Sequence, residues 1–276
     1  MSATSWGDRH AHGDPGDGPS TRVGFRHQFR VVHALLLREM QTRFGRNQLG
    51  FLWLFMEPLM VAGAMAGLRW LVGGPGTVPG VPIFIFALVS YLPFFSFRSI
   101  VSRAPGTLRS TLSLLYHSRI KLLDLVLARH GLEMAAVVVV MAFIVVGVAF
   151  WADMPPNSVP MLLIGLVLIL LLANGLGLLC AAAAARWPAV GRVIHVLLFL
   201  SLPLSGALVS LHMLDPAIRE VLLWNPQAHM HEMVRDGFFG DRLPSHYDVG
   251  YAVFWVGVLN LLGLAALRAV RPKLEI

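Results

Sequence analysis

The chain is short of charge. Asp, Glu, Lys and Arg make up 13% of its 276 residues and hydrophobic residues 56%, where an ordinary soluble domain carries about 25% charged residues. That balance excludes a soluble globular enzyme and a disordered chain alike. Cysteine is nearly missing: Cys180 stands alone in an apolar run, so no intrachain disulfide forms and no multi-cysteine metal cage exists. Lysine is scarce too. Lys121 and Lys273 are the only two, and neither follows a glycine, whereas the phosphate-cradling loop of a nucleotide hydrolase ends in Gly-Lys-Ser/Thr. Any ATP used together with this protein is therefore hydrolysed on another chain. The excess of positive charge, +7 from 22 Lys+Arg against 15 Asp+Glu, predicts membrane orientation before it predicts a nucleic-acid partner, and no nucleic acid is expected.

What the chain has instead is long windows free of charge. An ionised group at mid-bilayer costs about 2.5 kcal/mol or more on insertion scales, so these windows mark spans of roughly 20 residues. Six are expected, near 49–72, 82–97, 134–151, 159–182, 193–211 and 250–267. The first holds Glu57 and Arg69 and closes at Gly73-Gly74-Pro75-Gly76, and Pro155-Pro156 separates the third from the fourth. The expected fold is an all-α integral membrane domain over 49–276, with a polar segment at 213–249 punctuated by Pro216, Asn225-Pro226 and Pro244. Residues 1–25 are expected to be a disordered tail; 1–20 alone hold four glycines, two prolines, three aspartates and two histidines, with no hydrophobic stretch close enough for a signal peptide. Over 26–48, Phe29, Val32, Leu36 and Met40 recur at spacings of three and four while Arg30, Arg38 and Gln41 project elsewhere. This spacing predicts an amphipathic helix lying in the interface.

Basic residues sort on this map. Eighteen of the 22 fall at 9–46, 98–129, 186–192 and 268–273, against Arg219, Arg235 and Arg242 on the other side with seven acidic residues from Asp153 to Asp248. The positive-inside rule then places both termini in the cytoplasm, makes the number of spans even, and turns 213–249 outward.

Two local patterns are set aside. His231-Glu232-Met233-Val234-Arg235 resembles the start of a zinc-protease helix, but Arg235 stands where the second histidine ligand belongs. His229 and His231, two apart, point in different directions on a helix, and no metal site is expected.

Three ordered blocks carry a resemblance. The first is Arg38-Glu39, Thr42-Arg43-Phe44-Gly45, Leu49-Gly50, Leu52-Trp53 and Glu57-Pro58. The second is Pro93-Phe94-Phe95, Phe97-Arg98, Leu114-Leu115-Tyr116, Asp124, Ala128-Arg129 and Glu133. The third is Pro203, Ser205-Gly206, Trp224-Asn225-Pro226, His229, Glu232, Arg235 and Phe238-Phe239. Together, over about 26–273, they resemble the exporter-type ABC permeases that carry capsular polysaccharide out of Gram-negative cells. The family commonly has prolines after Leu-Leu-Tyr, where this chain has Ser118 and Leu122.

The resemblance implies a transport subunit and no enzyme, in the bacterial inner membrane. Two copies of the permease would pair with two ATP-binding subunits, which hold the ATP and magnesium; this chain holds no cofactor. The cargo would be lipid-linked polysaccharide, with periplasmic and outer-membrane export proteins as further partners and membrane lipid around the spans. Coupling to the ATPase would run through the surface helix, with Arg38, Glu39 and Arg43, and through the loop between spans two and three. There Leu112, Leu115, Tyr116 and Ile120 make an apolar knob collared by Arg109, Arg119 and Lys121. A positive-inside loop with no partner is the other reading of that loop. Glu39 and Arg43, four apart, suit either a helix-packing pair or gate coupling. Glu57, inside span one beside Pro58, should face a cavity or a partner, with Arg98 or Arg129 as its counter-ion. Trp53, Phe55, Trp70, Tyr91, Phe94, Phe95 and Phe97 either stack on sugar rings or face lipid. Arg69 and Arg98 either draw an acidic polysaccharide or lipid phosphate, or snorkel. The rival functions are the same architecture carrying O-antigen, teichoic acid or a drug, and a membrane-embedded glycoconjugate transferase using His229, His231, Glu232 and Asp236.

Overall fold

A computed structural model describes residues 49–72, 77–78, 80–109 and 122–270. The tail and interface helix expected over 1–48, residues 110–121 of the docking loop expected over 102–123, and the basic end at 271–276 lie outside the described residues, while 102–109 and 122–123 of that loop are helical. In chain order the elements are α1 (Leu49–Leu71), a hairpin of β1 (Thr77–Val78) and β2 (Val81–Pro82), α2 (Ile83–Arg109), α3 (Leu122–Trp151), α4 (Val159–Arg186), α5 (Val190–Leu204), α6 (Pro216–Leu222), α7 (Pro226–Phe239) and α8 (Val249–Val270). Single 3-10 turns stand at Leu211–Met213 and Gly240–Arg242.

Runs of Leu, Val and Ala without charge make helix the solution in lipid, because every backbone polar group then finds its partner within the segment. Among the described residues four helices are long and apolar enough to cross a membrane, over Ile83–Gly106, Val126–Trp151, Val159–Arg186 and Val249–Val270. α1 adds 23 residues with Glu57 and Arg69 inside it. α4 starts where Ser158 caps it, its hydroxyl accepting from the Met161 amide at 3.5 Å; such a cap contributes about 1 kcal/mol.

Three expected boundaries move, each for a physical reason. Span two does not end at the basic residues: α2 runs on through Arg98 and Arg103 to Arg109, because both arginines meet carboxylates of neighbouring helices. Span five is shorter than expected. α5 has 15 residues and stops at Leu204, about 22 Å of helix at 1.5 Å per residue against a hydrocarbon core of about 30 Å. Pro203 lies in its last turn, and Gly206 at φ +72° takes the chain into a left-handed turn that a side chain disfavours. Third, the segment 213–249, expected only as polar and punctuated by prolines, has helices of its own. It folds into α6 and α7, and twelve of the 14 residues of α7 are buried.

α4 is the centre of the bundle, packed by α2, α7 and α8. Small residues let those helices come close. A Cβ on Gly175 would stand 2.7 Å from the Asn260 amide nitrogen of α8, and one on Gly237 of α7 would collide with the Leu162 backbone of α4. Hydrogen bonds cross at the same places: the Ser158 amide donates to the Gly237 carbonyl at 2.7 Å, and the Asn157 amide to the Phe238 carbonyl at 3.1 Å. Deeper in, a polar relay ties three helices. His130 Nδ1 meets Asn174 Oδ1 at 2.8 Å, Asn174 Nδ2 donates to Asn260 Oδ1 at 2.9 Å, and Asn260 Nδ2 donates to the Leu171 and Val256 carbonyls. In lipid such bonds hold helices together, each contributing about 0.6 to 2 kcal/mol.

Candidate functional site

Between α1 and α5, with α2 as its floor, lies a cleft of about 680 Å³. α1 contributes Trp53 and Glu57, one turn apart on one face. α2 contributes Tyr91, Phe94, Phe95 and Arg98, then Ser99, Ser102 and Arg103. α5 contributes His195, Leu198, Phe199 and Leu202. The cleft is therefore walled by aromatic rings and set with charge.

The charges are organised. Glu57 Oε1 accepts from the Arg98 guanidinium across α1 and α2, so of the two counter-ions that the sequence left open the structure pairs Glu57 with Arg98. The Tyr91 hydroxyl stands against the same carboxylate, and the Arg98 guanidinium lies 5.9 Å over the Phe95 ring, an attraction in its own right. One turn further along α2, Arg103 donates to Glu133 Oε1 of α3 at 2.9 Å, and the Ser99 hydroxyl donates to Glu133 Oε2 at 3.1 Å. Each of the two arginines is thus tied to a carboxylate of a different neighbouring helix, Arg98 to α1 and Arg103 to α3.

Of the other residues expected along a substrate path, Phe97 is buried and packs against Phe94, ring centroids 6.4 Å apart, behind the cleft wall. Arg69 is elsewhere. It lines a second, apolar cavity of about 570 Å³ at the far end of α1, with Met65, Leu68, Ile83, Phe86 and Ser210. Trp70 is 79% exposed on the outer surface. The residues expected to couple to an ATPase, Arg38, Glu39, Arg43, Leu115, Tyr116, Arg119 and Lys121, lie outside the described residues. The contribution of α5 was not foreseen. Its signal is in the sequence, since His195, Leu198, Phe199 and Leu202 follow the spacing of one helical face.

The third block of the resemblance has a structural meaning. Glu232 and Arg235 form an ion pair with both side chains 0% exposed. Arg235 Nη1 also donates to the Gly206 carbonyl at 2.7 Å, and Glu232 accepts from the Leu211 amide at 3.2 Å and the His246 amide at 3.0 Å. Asn225 caps α7, accepting from the Gln227 amide at 3.0 Å, and donates to the Leu204 carbonyl at 2.9 Å. One helix thereby satisfies the frayed end of α5 and the chain on both sides of itself. His229 does likewise: Nε2 donates to the Leu223 carbonyl at 2.7 Å and Nδ1 accepts from the Asp248 amide at 2.8 Å. With both nitrogens so engaged, His229 has no lone pair for a metal. Among the described residues no three His, Cys, Asp or Glu side chains are placed to hold one. Trp224, 82% exposed, instead offers its carbonyl to the Tyr251 hydroxyl at 2.7 Å. Burial, and after it the Arg235 charge, hold the His231 imidazole well below its usual pKa, so it is neutral. Tyr247, which donates to Asp236 at 2.8 Å, is pushed up to about 12 by burial and that carboxylate.

Residues 30–239, which take in the cleft and the buried pair, match the family described as ABC-2 type transporter. The chain belongs to that family. It is similar to the capsule polysaccharide export inner-membrane protein CtrC of Neisseria meningitidis serogroup A, 37% identical over 253 residues that cover 90% of this chain and 94% of the relative. It is 34% identical to the capsule polysaccharide export inner-membrane protein BexB of Haemophilus influenzae over 264 residues, 94% of this chain and 98% of that one. With the polysialic acid transport protein KpsM of Escherichia coli it shares 29% over 255 residues, 90% and 96% of the two chains. The names of these relatives speak of export and transport, as does the description of the family.

Proposed function

We propose that this chain is the permease subunit of an ATP-driven exporter that moves lipid-linked capsular polysaccharide across the inner membrane. The observation that carries the reading is likeness over nearly the whole length to proteins named for capsule polysaccharide export. The cleft suits such a cargo. Sugar rings present apolar faces that stack weakly and repeatedly on aromatic side chains, so a polymer advances without a deep resting place, while Arg98 and Arg103 attract acidic groups along it. Two copies would assemble with two ATP-binding subunits, which bring ATP and magnesium, and with periplasmic and outer-membrane export proteins. α1 to α5 and α8 would make six crossings behind the interface helix, with both termini cytoplasmic and α6 and α7 at the outer end.

The test is complementation. A capsulated strain lacking its own permease gene should regain surface polysaccharide when given this chain with its cognate ATPase, and neither subunit alone should suffice. Polymer that stays inside while both subunits are present and associated would count against the capsular cargo.

A further inference from the structure

Among the described residues, two of the glutamate–arginine pairs look alike on paper and differ in build. Glu232–Arg235 is sealed, with both side chains fully buried and both carboxylate oxygens engaged by the chain around them. Glu57–Arg98 is open, with side chains 20% and 40% exposed, and it faces the cleft. A sealed pair fixes structure; an open pair on a cavity wall is available to a competing anion. We propose that Arg98 is an exchange site, at which the phosphate of a lipid-linked glycan displaces the Glu57 carboxylate and so loosens α1 from α2.

Four observations support the exchange. The Arg98 fork matches phosphate as well as carboxylate, in the same two-point geometry. Its place over the Phe95 ring keeps the guanidinium aimed into the cleft after the carboxylate leaves. Among the charged side chains lining the cleft, Arg103 is held by Glu133 of α3, whereas Arg98 is held by Glu57 and is left as a cation facing the cleft once Glu57 has swung away. Finally, Trp53 and Phe199 at the mouth are 57% and 76% exposed, so the cleft opens on the surface of the chain between α1 and α5, where a head group can enter it. The mechanical consequence follows from where the pair sits. Glu57 precedes Pro58, whose ring leaves α1 one hydrogen bond short at that turn, so releasing the carboxylate frees α1 at its weakest point.

The inference rests on the export reading for the identity of the glycan, and the experiment separates the two. The permease–ATPase complex, in nanodiscs of phosphatidylcholine, is titrated with fluorescent lysophosphatidylglycerol and, for comparison, lysophosphatidylcholine. The anionic probe should bind better than the zwitterionic one. Glu57→Gln should tighten it about fivefold by removing the competitor, since a part-exposed pair holds about that much, and Arg98→Gln should weaken it tenfold or more. Arg186→Gln, remote from the cleft, should change nothing. Equal binding across Glu57→Gln, Arg98→Gln and the parent overturns the proposal, even if both variants melt lower. Displacement of the probe by millimolar inorganic phosphate also overturns it, because the site would then serve the free ion. Binding that behaves as expected in a complex that exports no capsule leaves the site standing and removes the cargo. Normal export by Arg98→Gln with a probe indifferent to the change does the reverse.

Discussion

Arg235→Met should unfasten the end of the bundle where α7 packs. The substitution keeps length and apolar volume but leaves the Glu232 carboxylate charged and enclosed, and strips a donor from the Gly206 carbonyl. Breaking a fully buried pair costs about 3–5 kcal/mol, and an orphaned buried acceptor about 1–3 kcal/mol more, the two overlapping because they share one side chain. Against a total stability of about 5–15 kcal/mol the loss is severe. At about 2–4 °C per kcal/mol for a domain of this size, a loss of 3 kcal/mol lowers the melting temperature by about 6 °C or more. Purified protein in nanodiscs, unfolded by heat and followed by tryptophan fluorescence, gives that number. Limited proteolysis between Leu204 and Asp215 reports the same event locally. The decisive comparison is the double variant Glu232→Gln with Arg235→Met, which buries no charge and should recover a good part of the loss. A single variant that melts within 1 °C of the parent, or a double variant no better than the single, would refute the account of α7 as a charge-anchored plug.

Four other outcomes are expected. Gly175→Ala should push α8 off α4, because the new methyl would stand 2.7 Å from the Asn260 amide nitrogen; overpacking of this kind costs about 1–3 kcal/mol, read as a lower melting temperature. His231 is neutral when folded and protonates near pH 6.5 when unfolded, so over the acid range below about 6.5 the unfolded state binds the extra proton and stability should fall as pH drops. Melting curves at several pH values should show it, and His231→Leu should flatten the slope. Tyr247 works in the opposite direction: it ionises near 10 unfolded and near 12 folded, so its contribution should vanish as pH rises through that interval, and Tyr247→Phe should remove that dependence. In a variant lacking Cys180, cysteine at the exposed Asp241 should react in intact cells with an impermeant thiol reagent and cysteine at the exposed Ala189 should not; the reverse pattern would invert the proposed orientation.

Much of this was legible from charge spacing alone. A glutamate inside an apolar helix has to meet a cation, which is why Glu57 pointed to Arg98 or Arg129 before either could be chosen. The choice itself needed three dimensions, because it depends on α1 lying against α2 while Arg129 sits on α3. The ends of helices were harder. Arg98 and Arg103 read as the polar edge of a span, yet their carboxylate partners on α1 and α3 let α2 run on to Arg109. The 213–249 segment was expected as polar and outward-facing, and nothing in its composition tells that most of α7 within it is buried. It is as polar as a loop, but Glu232, Arg235, His229 and Asn225 spend their hydrogen-bonding atoms on backbone groups that the short α5 and the turns around it leave unpaired. Composition counts charges and cannot tell a solvated one from a satisfied one.

The two halves of the cleft are built to different stiffness. α2 and α4 form the fixed part: the crossing window of α2 is 89% buried and that of α4 67%, glycines bring α4 into backbone contact with α7 and α8, and the His130–Asn174–Asn260 relay pins three helices together. α1 and α5 are attached more lightly. α1 carries a proline at its centre and one exposed ion pair, and α5 presents Val193, Val196, Leu197, Phe199 and Leu200 to the outside with only Ile194 and Leu198 buried along its length. Segments with few buried contacts open at lower free energy than the core they rest on. Widening of the cleft should accordingly come from α1 and α5 swinging away from a rigid α2–α4 floor, with the sealed Glu232–Arg235 pair holding the chain just past the C-terminal end of α5 as the pivot. A reducible bifunctional thiol cross-linker bridging cysteines introduced at Trp53 and Phe199, in a variant lacking Cys180, should then arrest export while leaving assembly with the ATPase intact, and reduction should restore it.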